Sequence, residues 1–381
     1  MPANPKLWLM IVLSLVTIRS AKSEVIDIRT APYSAVGDGE TDNRQAFAKV
    51  FAALQPNDTL LIPPGDYRIS LTKSPLRVPP GVTIWGQGDN SRLLLTSDGD
   101  RRDHREFLRL ASDVVLDGIT LERDQEFPAV LLSMFGEISN VTLQNCRING
   151  NAARFPQAYC HAIQLGVGDL KNLAIKSMTI QDCFYGLFQA NGATGGVDGV
   201  VVEYSRFERN RASDLEFNSP NGKMQNIVVR DSQFRDNQCN SASAGFAVGF
   251  ANVTHGRVEN CDIRNYGSEA LHVEDRSTNI ELVGNTIIGG SLTQPNGVIM
   301  VVNHSQGVSI DRNFIDARAN TNRPHLILVT AGGSSFANPT EVSVANNILV
   351  NGPTTKTWYL QPGSGPEPTG NEVITPKTAV K

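Results

Sequence analysis

The chain has 381 residues, 40% of them hydrophobic, and its 34 Lys and Arg against 38 Asp and Glu leave a net charge of −4. Such a chain can bury a sizeable core, which excludes a disordered segment, and its acidic balance argues against nucleic acid or anionic lipid as a partner. Five cysteines are too few for a disulfide scaffold.

The first element, Leu7 to Ile18, follows Lys6 and precedes the small-x-small triplet Ala21-Lys22-Ser23. A run of 12 residues is too short to span a bilayer and fits a cleaved signal peptide over residues 1–23, so a secreted or periplasmic protein is expected. Losing Lys6, Arg19 and Lys22 and no acid would take the net charge to about −7. No later segment is apolar enough to cross a membrane, so the mature chain should have no membrane span.

Next comes Tyr33 to Asn43, rich in Gly and Asp, then Gln45 to Leu54, then Leu60-Leu61-Ile62-Pro63-Pro64-Gly65-Asp66-Tyr67. Thr41 or Asp42 can cap a helix from Gln45 to Leu54 whose Phe47, Val50, Phe51 and Leu54 share one face. From about residue 112 to 350 an eight-residue phrase recurs: Val141–Ile148, Met178–Tyr185, Val200–Phe207, Ile227–Phe234, Gly256–Ile263, Ile280–Ile287, Val308–Ile315 and Val342–Leu349. Its sixth residues are Cys146, Cys183, Ser205, Ser232, Cys261, Asn285, Asn313 and Asn347. The spacing is too irregular for a helical array and suits short strands joined by turns of varied length, the signature of a parallel β-helix. The expected architecture is therefore all-β, a single-stranded right-handed parallel β-helix over residues 24–352. The helix would cover its N-terminal end, because an uncapped coil exposes strand edges and its apolar interior. Residues 353–381, rich in Pro and Gly, read as a loose tail. Cys146 and Cys183 should stack inside as neighbours, while Cys160 and Cys239 lie in turns, their pairing open. Four glycosylation-type triplets begin at Asn57, Asn140, Asn252 and Asn303; in an Asn-rich chain chance is the safer explanation.

Each phrase is followed by a second short strand. Stacking these by their apolar residues places Ile163, Leu187, Leu215, Phe246, Leu271 and Val298 inward and Gln164, Phe188, Glu216, Ala247, His272 and Ile299 outward. Asp214 and Asn218 would flank Glu216, Glu274 would flank His272, and Gly245, Ala247 and Gly249 would form a bare floor between two acidic rims. Outward polar residues on a solenoid are ordinarily solvated surface. Here, however, Asp214, Glu216, His272 and Glu274 gather in mid-coil, and like charges held together raise one another's pKa, which a catalytic site explains better than stability does. These four are the candidate catalytic residues. His161, Gln164, Phe188, Gln189, Asn218, Asp275 and Arg276 are candidate substrate contacts, with Asp275 and Arg276 more readily a structural pair. No metal-ligand spacing, phosphate loop or Ser-His-Asp order stands out.

The residues Ala35-Val36-Gly37-Asp38-Gly39-x-Thr41-Asp42-Asn43, the helix after them and Ile62-Pro63-Pro64-Gly65-x-Tyr67 resemble the N-terminal block of the pectate lyase-like right-handed β-helix superfamily, which includes rhamnogalacturonase, polygalacturonase (glycoside hydrolase family 28) and epimerase types. The resemblance covers about 45 residues and implies a secreted enzyme acting on a polysaccharide, without choosing a reaction. The chain departs from the polygalacturonase pattern, lacking Asn-Thr-Asp, Asp-Asp, Gly-His-Gly and Arg-Ile-Lys sets. Three functions stay open. A glycoside hydrolase would use two carboxyl groups, with His272 tuning them and no cofactor. A lyase or uronate C5-epimerase would need a base and a group to neutralise the substrate carboxylate; Arg211, Arg276 and His272 keep it alive, and calcium held by Asp214, Glu216 and Glu274 would serve there. A noncatalytic glycan-binding β-helix would favour rows of aromatics, for which only Phe188 and Phe250 are candidates.

Overall fold

The strands Ile138–Gln144, Leu170–Lys176, Val197–Glu203, Met224–Arg230, Val253–Glu259, Thr278–Val283 and Gln306–Asp311 lie parallel, one above the next, in a register that sets Val141 on Leu173 and Val200 on Ile227. This is the computed structural model of the chain, which describes residues 23–97, 99–100, 102–237, 239–241 and 243–375. The expected signal peptide lies outside the described residues except for Ser23 at its edge. Successive coils build a right-handed parallel β-helix of about 12 turns.

The local chemistry of the phrase explains the coil. Its fifth residue adopts left-handed backbone, as in Asn145 (φ 54°), Tyr204 (52°), Asp231 (49°), Asn260 (53°) and Gly284 (66°). That single residue turns the strand, and Asn, Asp and Gly tolerate the conformation best. The sixth residue points inward, and a three-residue strand such as Arg147–Asn149 or Arg206–Glu208 completes the first face. A corner of variable length then leads to the second sheet of 11 parallel strands. The apolar residues of both sheets meet in one continuous core along the axis. Asn57, Asn140, Asn252 and Asn303 all sit at left-handed turns, which accounts for asparagine there.

Three expectations need correction. Ile138–Gln144 pairs with Leu170–Lys176, so the residue above Cys146 is Met178, and Thr179 N donates to Cys146 O at 2.9 Å. The phrase Met178–Tyr185 was out of phase because alternation continues through the strand Thr179–Gln181. Cys183 is buried at the following corner against Cys160, its N–H donating to Asn210 Oδ1 at 2.8 Å. All five cysteines are free thiols, so Cys160 and Cys239 are not paired. The helix spans Arg44–Ala53, buries Ala46, Phe47, Val50 and Phe51 and packs on the strands Gly65–Leu71 and Leu76–Arg77. Its N-cap is Asn43 rather than Thr41 or Asp42. The Asn43 amide instead takes Val36 N at 2.7 Å and donates to Val36 O at 2.9 Å, which pins the Gly-Asp loop. Finally, the tail is built into the fold: Lys356–Leu360 pairs with His325–Val329, and Glu372–Ile374 pairs with Ile348–Val350.

Candidate active site on the second sheet

Pairing in the second sheet fixes which residues share a row. Ile163, Leu187, Leu215, Val248, Leu271 and Ile299 form one inward row, and Gln164, Phe188, Glu216, Gly249, His272 and Met300 form the adjacent outward row. The expected alignment therefore holds for the coils of Glu216 and His272 and fails between and after them. Ala247, Ile299 and Ile327 are fully buried core residues, and Val298 is not in the inward row. The run Phe246-Ala247-Val248 has no apolar alternation to set its phase. Gly249, not Ala247, lies between Glu216 and His272, and a Cβ there would meet the Phe246 ring at 2.8 Å. Phe246 itself stacks on His272, with ring centroids 4.4 Å apart and planes 16° apart.

Glu216, His272 and Glu274 open into a cavity of about 390 Å³, shared with Tyr185, Asn218 and Asp275. His272 is 5% exposed, with Nε2 3.3 Å from the Glu274 carboxylate and Nδ1 3.9 Å from Glu269. Neither ring nitrogen has an aligned hydrogen-bond partner. Burial disfavours the His272 charge, but Glu274, Glu269 and Glu216 outweigh it and hold its pKa above the ordinary value. The two outer carboxyls are pushed apart. Burial, reinforced by Glu274, raises Glu216, whose Oε2 is buried and partnerless. Burial also opposes ionisation of Glu274, yet His272 prevails and holds it below the usual carboxylate range. Glu216 and Glu274 thus line one cavity in environments that shift their acidities in opposite directions, with His272 3.3 Å from Glu274.

The other expected residues divide. Asn218 lines the cavity and donates to Asn191 Oδ1. Asp275 lines it too, but accepts Asn303 Nδ2 at 3.2 Å instead of pairing with Arg276, which is exposed at the turn. Asp214 is not a rim residue: it is fully buried before the strand, accepts hydrogen bonds from Tyr266 Oη and from Asn210 Nδ2 (2.6 Å), and burial pushes it up to about 7. Gln189 also turns inward, above Phe217's neighbour row, with its amide buried and unpartnered. Gln164 is half-buried on its coil, outside the cavity. His161 and Phe188 belong to an aromatic group, with centroids 4.4 Å apart, and burial drives His161 down to about 3. Arg211 donates to Pro156 O at 2.6 Å.

Sequence reasoning missed Tyr185, Glu269 and Ser243. Tyr185 and Ser243 line the cavity from corners, where no strand periodicity applies. Glu269 is buried behind His272 and bound by Asn296 Nδ2 at 2.6 Å; its spacing of three before His272 was the one available signal. Among the described residues no cluster of three or more His, Cys, Asp or Glu has the geometry to hold a metal ion, and no helix is long and apolar enough to cross a membrane.

A right-handed parallel β-helix with a carboxyl-lined groove on one sheet is the frame of the polysaccharide-active β-helix enzymes. The chain belongs to the family described as rhamnogalacturonase A/epimerase, pectate lyase-like, whose profile matches residues 28–272. Solved structures share the fold, these three among them. The mannuronan C-5 epimerase AlgE6 A-module of Azotobacter vinelandii has 15% identity and a TM-score of 0.59 over 92% of this chain and 100% of that one. The family 28 exopolygalacturonase of Yersinia enterocolitica has 11% identity and a TM-score of 0.60 over 93% and 78%. PfbA, a surface adhesin of Streptococcus pneumoniae, has 14% and 0.55 over 92% and 91%. No curated protein matches the chain.

Proposed function

We propose that the protein is a secreted glycoside hydrolase acting on a polysaccharide laid across the second sheet. The observation that carries this reading is the placing of two carboxyls on one cavity in opposed environments: burial raises the pKa of Glu216, while His272, 3.3 Å from Glu274, lowers that of Glu274. Environments that drive a pair apart in this way assign acid and base. Glu216 would give its proton to the glycosidic oxygen as the bond to the anomeric carbon breaks. Glu274 would take a proton from the water whose oxygen attacks that carbon. His272 would hold Glu274 ionised, and Asn218 would bind sugar hydroxyls.

Lyase or epimerase chemistry is the second reading, favoured by one observation: Tyr185 and His272 line the same cavity as candidates for moving a proton at C5. Calcium belongs to that reading alone. The deciding experiment incubates the protein with plant, algal and bacterial polysaccharides and scores new reducing ends together with ultraviolet absorbance of unsaturated uronates. New ends without absorbance support hydrolysis. Both signals together would establish a lyase, and inverted C5 configuration without cleavage an epimerase.

A further inference from the structure

We propose that the glycan held here is neutral, with no uronate at the reacting position, and that it runs from the Glu216 cavity towards the N-terminal coils over a rail of aromatic rings. The proposal rests on the hydrolytic reading above and names its substrate class. Charge is the first ground. Glu216, Glu274 and Asp275 line the cavity without a Lys or Arg among the described lining residues. Glu269 stands behind His272, and Arg211, expected beside the groove, is turned to Pro156 O. A uronate entering this space would meet the Glu274 carboxylate and compete with it for His272. Bringing a further carboxylate out of water beside like charges is unfavourable. Hydroxyls carry no such cost, and the Asn218 amide and the carboxylates that line the cavity are polar partners for them.

The rail is the second ground, independent of charge. From Tyr185, next to Glu216, ring centroids step 4.8 Å to Phe188, 4.4 Å to His161, 4.8 Å to Tyr159 and 5.9 Å to His104. His161 is uncharged there, and Tyr159 is 39% exposed. Tyr185 and Phe188 belong to the coil of Leu187–Gln189 and His104 adjoins a strand three coils before it, so the rail extends for roughly 14 Å at about 4.8 Å per coil. The same row beyond His272 continues as Met300 and Leu328, and reaches a ring only at Tyr359 on the third coil. The rings that adjoin the cavity therefore lie on its N-terminal side, partly stacked on one another, and the exposed Tyr159 and His104 can meet the apolar face of a sugar.

The test uses the full chain carrying Glu216→Gln, to bind without turnover, in affinity electrophoresis through neutral glucans, galactans, mannans and xylans and through polygalacturonate and alginate. Each polyuronate is paired with its own carboxyl-reduced form, with and without calcium. Retention by at least one neutral polymer is expected, at least about tenfold stronger for a reduced polymer than for its polyuronate parent, and nearly unchanged between about 0.05 and 0.5 M salt. Stronger retention by a polyuronate, with or without calcium, or by no neutral polymer, overturns the proposal. The additional change Tyr159→Ala should weaken a long oligosaccharide about 3- to 10-fold and leave a disaccharide unchanged. Equal effects on both, or none, remove the rail. The hydrolytic reading fails separately: a neutral polymer retained but never cut by the unmodified protein refutes hydrolysis alone, whereas a polyuronate cut to reducing ends keeps hydrolysis and refutes neutrality.

Discussion

Two regions of this coil bury polar groups and treat them in opposite ways. At the turn of the first sheet, Asn285, Asn313 and Asn347 form a ladder. Asn285 Nδ2 donates to Asn313 Oδ1 and Asn313 Nδ2 to Asn347 Oδ1, each at 3.0 Å, and Asn313 Nδ2 also donates to Leu282 O at 2.8 Å. On the second sheet, Glu216 Oε2 and both nitrogens of His272 are buried without an aligned partner. An unsatisfied buried polar group costs about 1–3 kcal/mol, so a fold tolerates it where it serves something other than the fold. The ladder pairs its amides from coil to coil, whereas the candidate site leaves polar atoms without aligned partners around a cavity, as a site built for a ligand would.

Replacing Glu216 should sharpen that contrast most. Glu216→Gln keeps the shape and removes the proton donor, so turnover should fall by about 10²- to 10⁴-fold, while thermal unfolding stays level because no hydrogen bond of Oε2 is lost. Unchanged turnover would return Glu216 to ordinary surface. With Glu274 as base and Glu216 as acid, activity should follow a bell against pH. The acid limb would be set by protonation of Glu274, below its usual range, and the basic limb by ionisation of Glu216, above its own. A profile whose basic limb survives Glu216→Gln would contradict the assignment.

The ladder should answer in the other currency, stability. Asn313→Ala removes the partner of Asn285 N and Nδ2 and of Leu282 O, leaving several buried groups unsatisfied. A loss of about 2–4 kcal/mol in chemical denaturation is expected, with turnover per folded molecule unchanged. Lost turnover without lost stability would blur the distinction between the two regions.

The same contrast explains what was legible beforehand. The first sheet could be read because its phrase repeats a left-handed turn residue and an inward neighbour, as at Asn260-Cys261 and Arg312-Asn313, and each coil restates the signal. Leu215 and Leu271 set their strands in phase, so Glu216 and His272 were placed on one row. Around Gly249 the phase was lost, since Phe246-Ala247-Val248 offers three apolar residues in succession and a folded-over ring is not written in periodicity. Asp214 was misplaced for a related reason: alternation applies within the strand Leu215–Asn218, and Asp214 precedes it at the corner. The tail deceived through composition, because Pro and Gly conceal strands held by pairing alone.

Ala247 belongs to the core, so a bulky probe of the cavity has to sit elsewhere. Ala247→Trp would overpack the core, at about 1–3 kcal/mol or more, and says nothing about substrate. Ser243, exposed at the cavity wall, is the proper position. Ser243→Trp should cut activity at least about tenfold by filling space a sugar ring needs, with the melting transition kept. Full activity in that variant would mean the substrate does not cross this cavity.

Asp214 shares features of both regions: buried like the ladder, ionisable like the site. Its oxygens are satisfied by Tyr266 and Asn210, yet burial raises its pKa to about 7 in the folded protein, against about 3.9 when unfolded. Between those values the folded state holds a proton that the unfolded chain has released. Stability should therefore decline as pH rises from about 4 to about 7 and level off above. Asp214→Asn cannot ionise, so its denaturation midpoint should lose this part of the slope while the Glu216-dependent bell of activity remains. If Asp214→Asn instead removed a limb of the activity profile and left the stability slope intact, Asp214 would belong to the chemistry, and the line drawn between satisfied and unsatisfied burial would have to move.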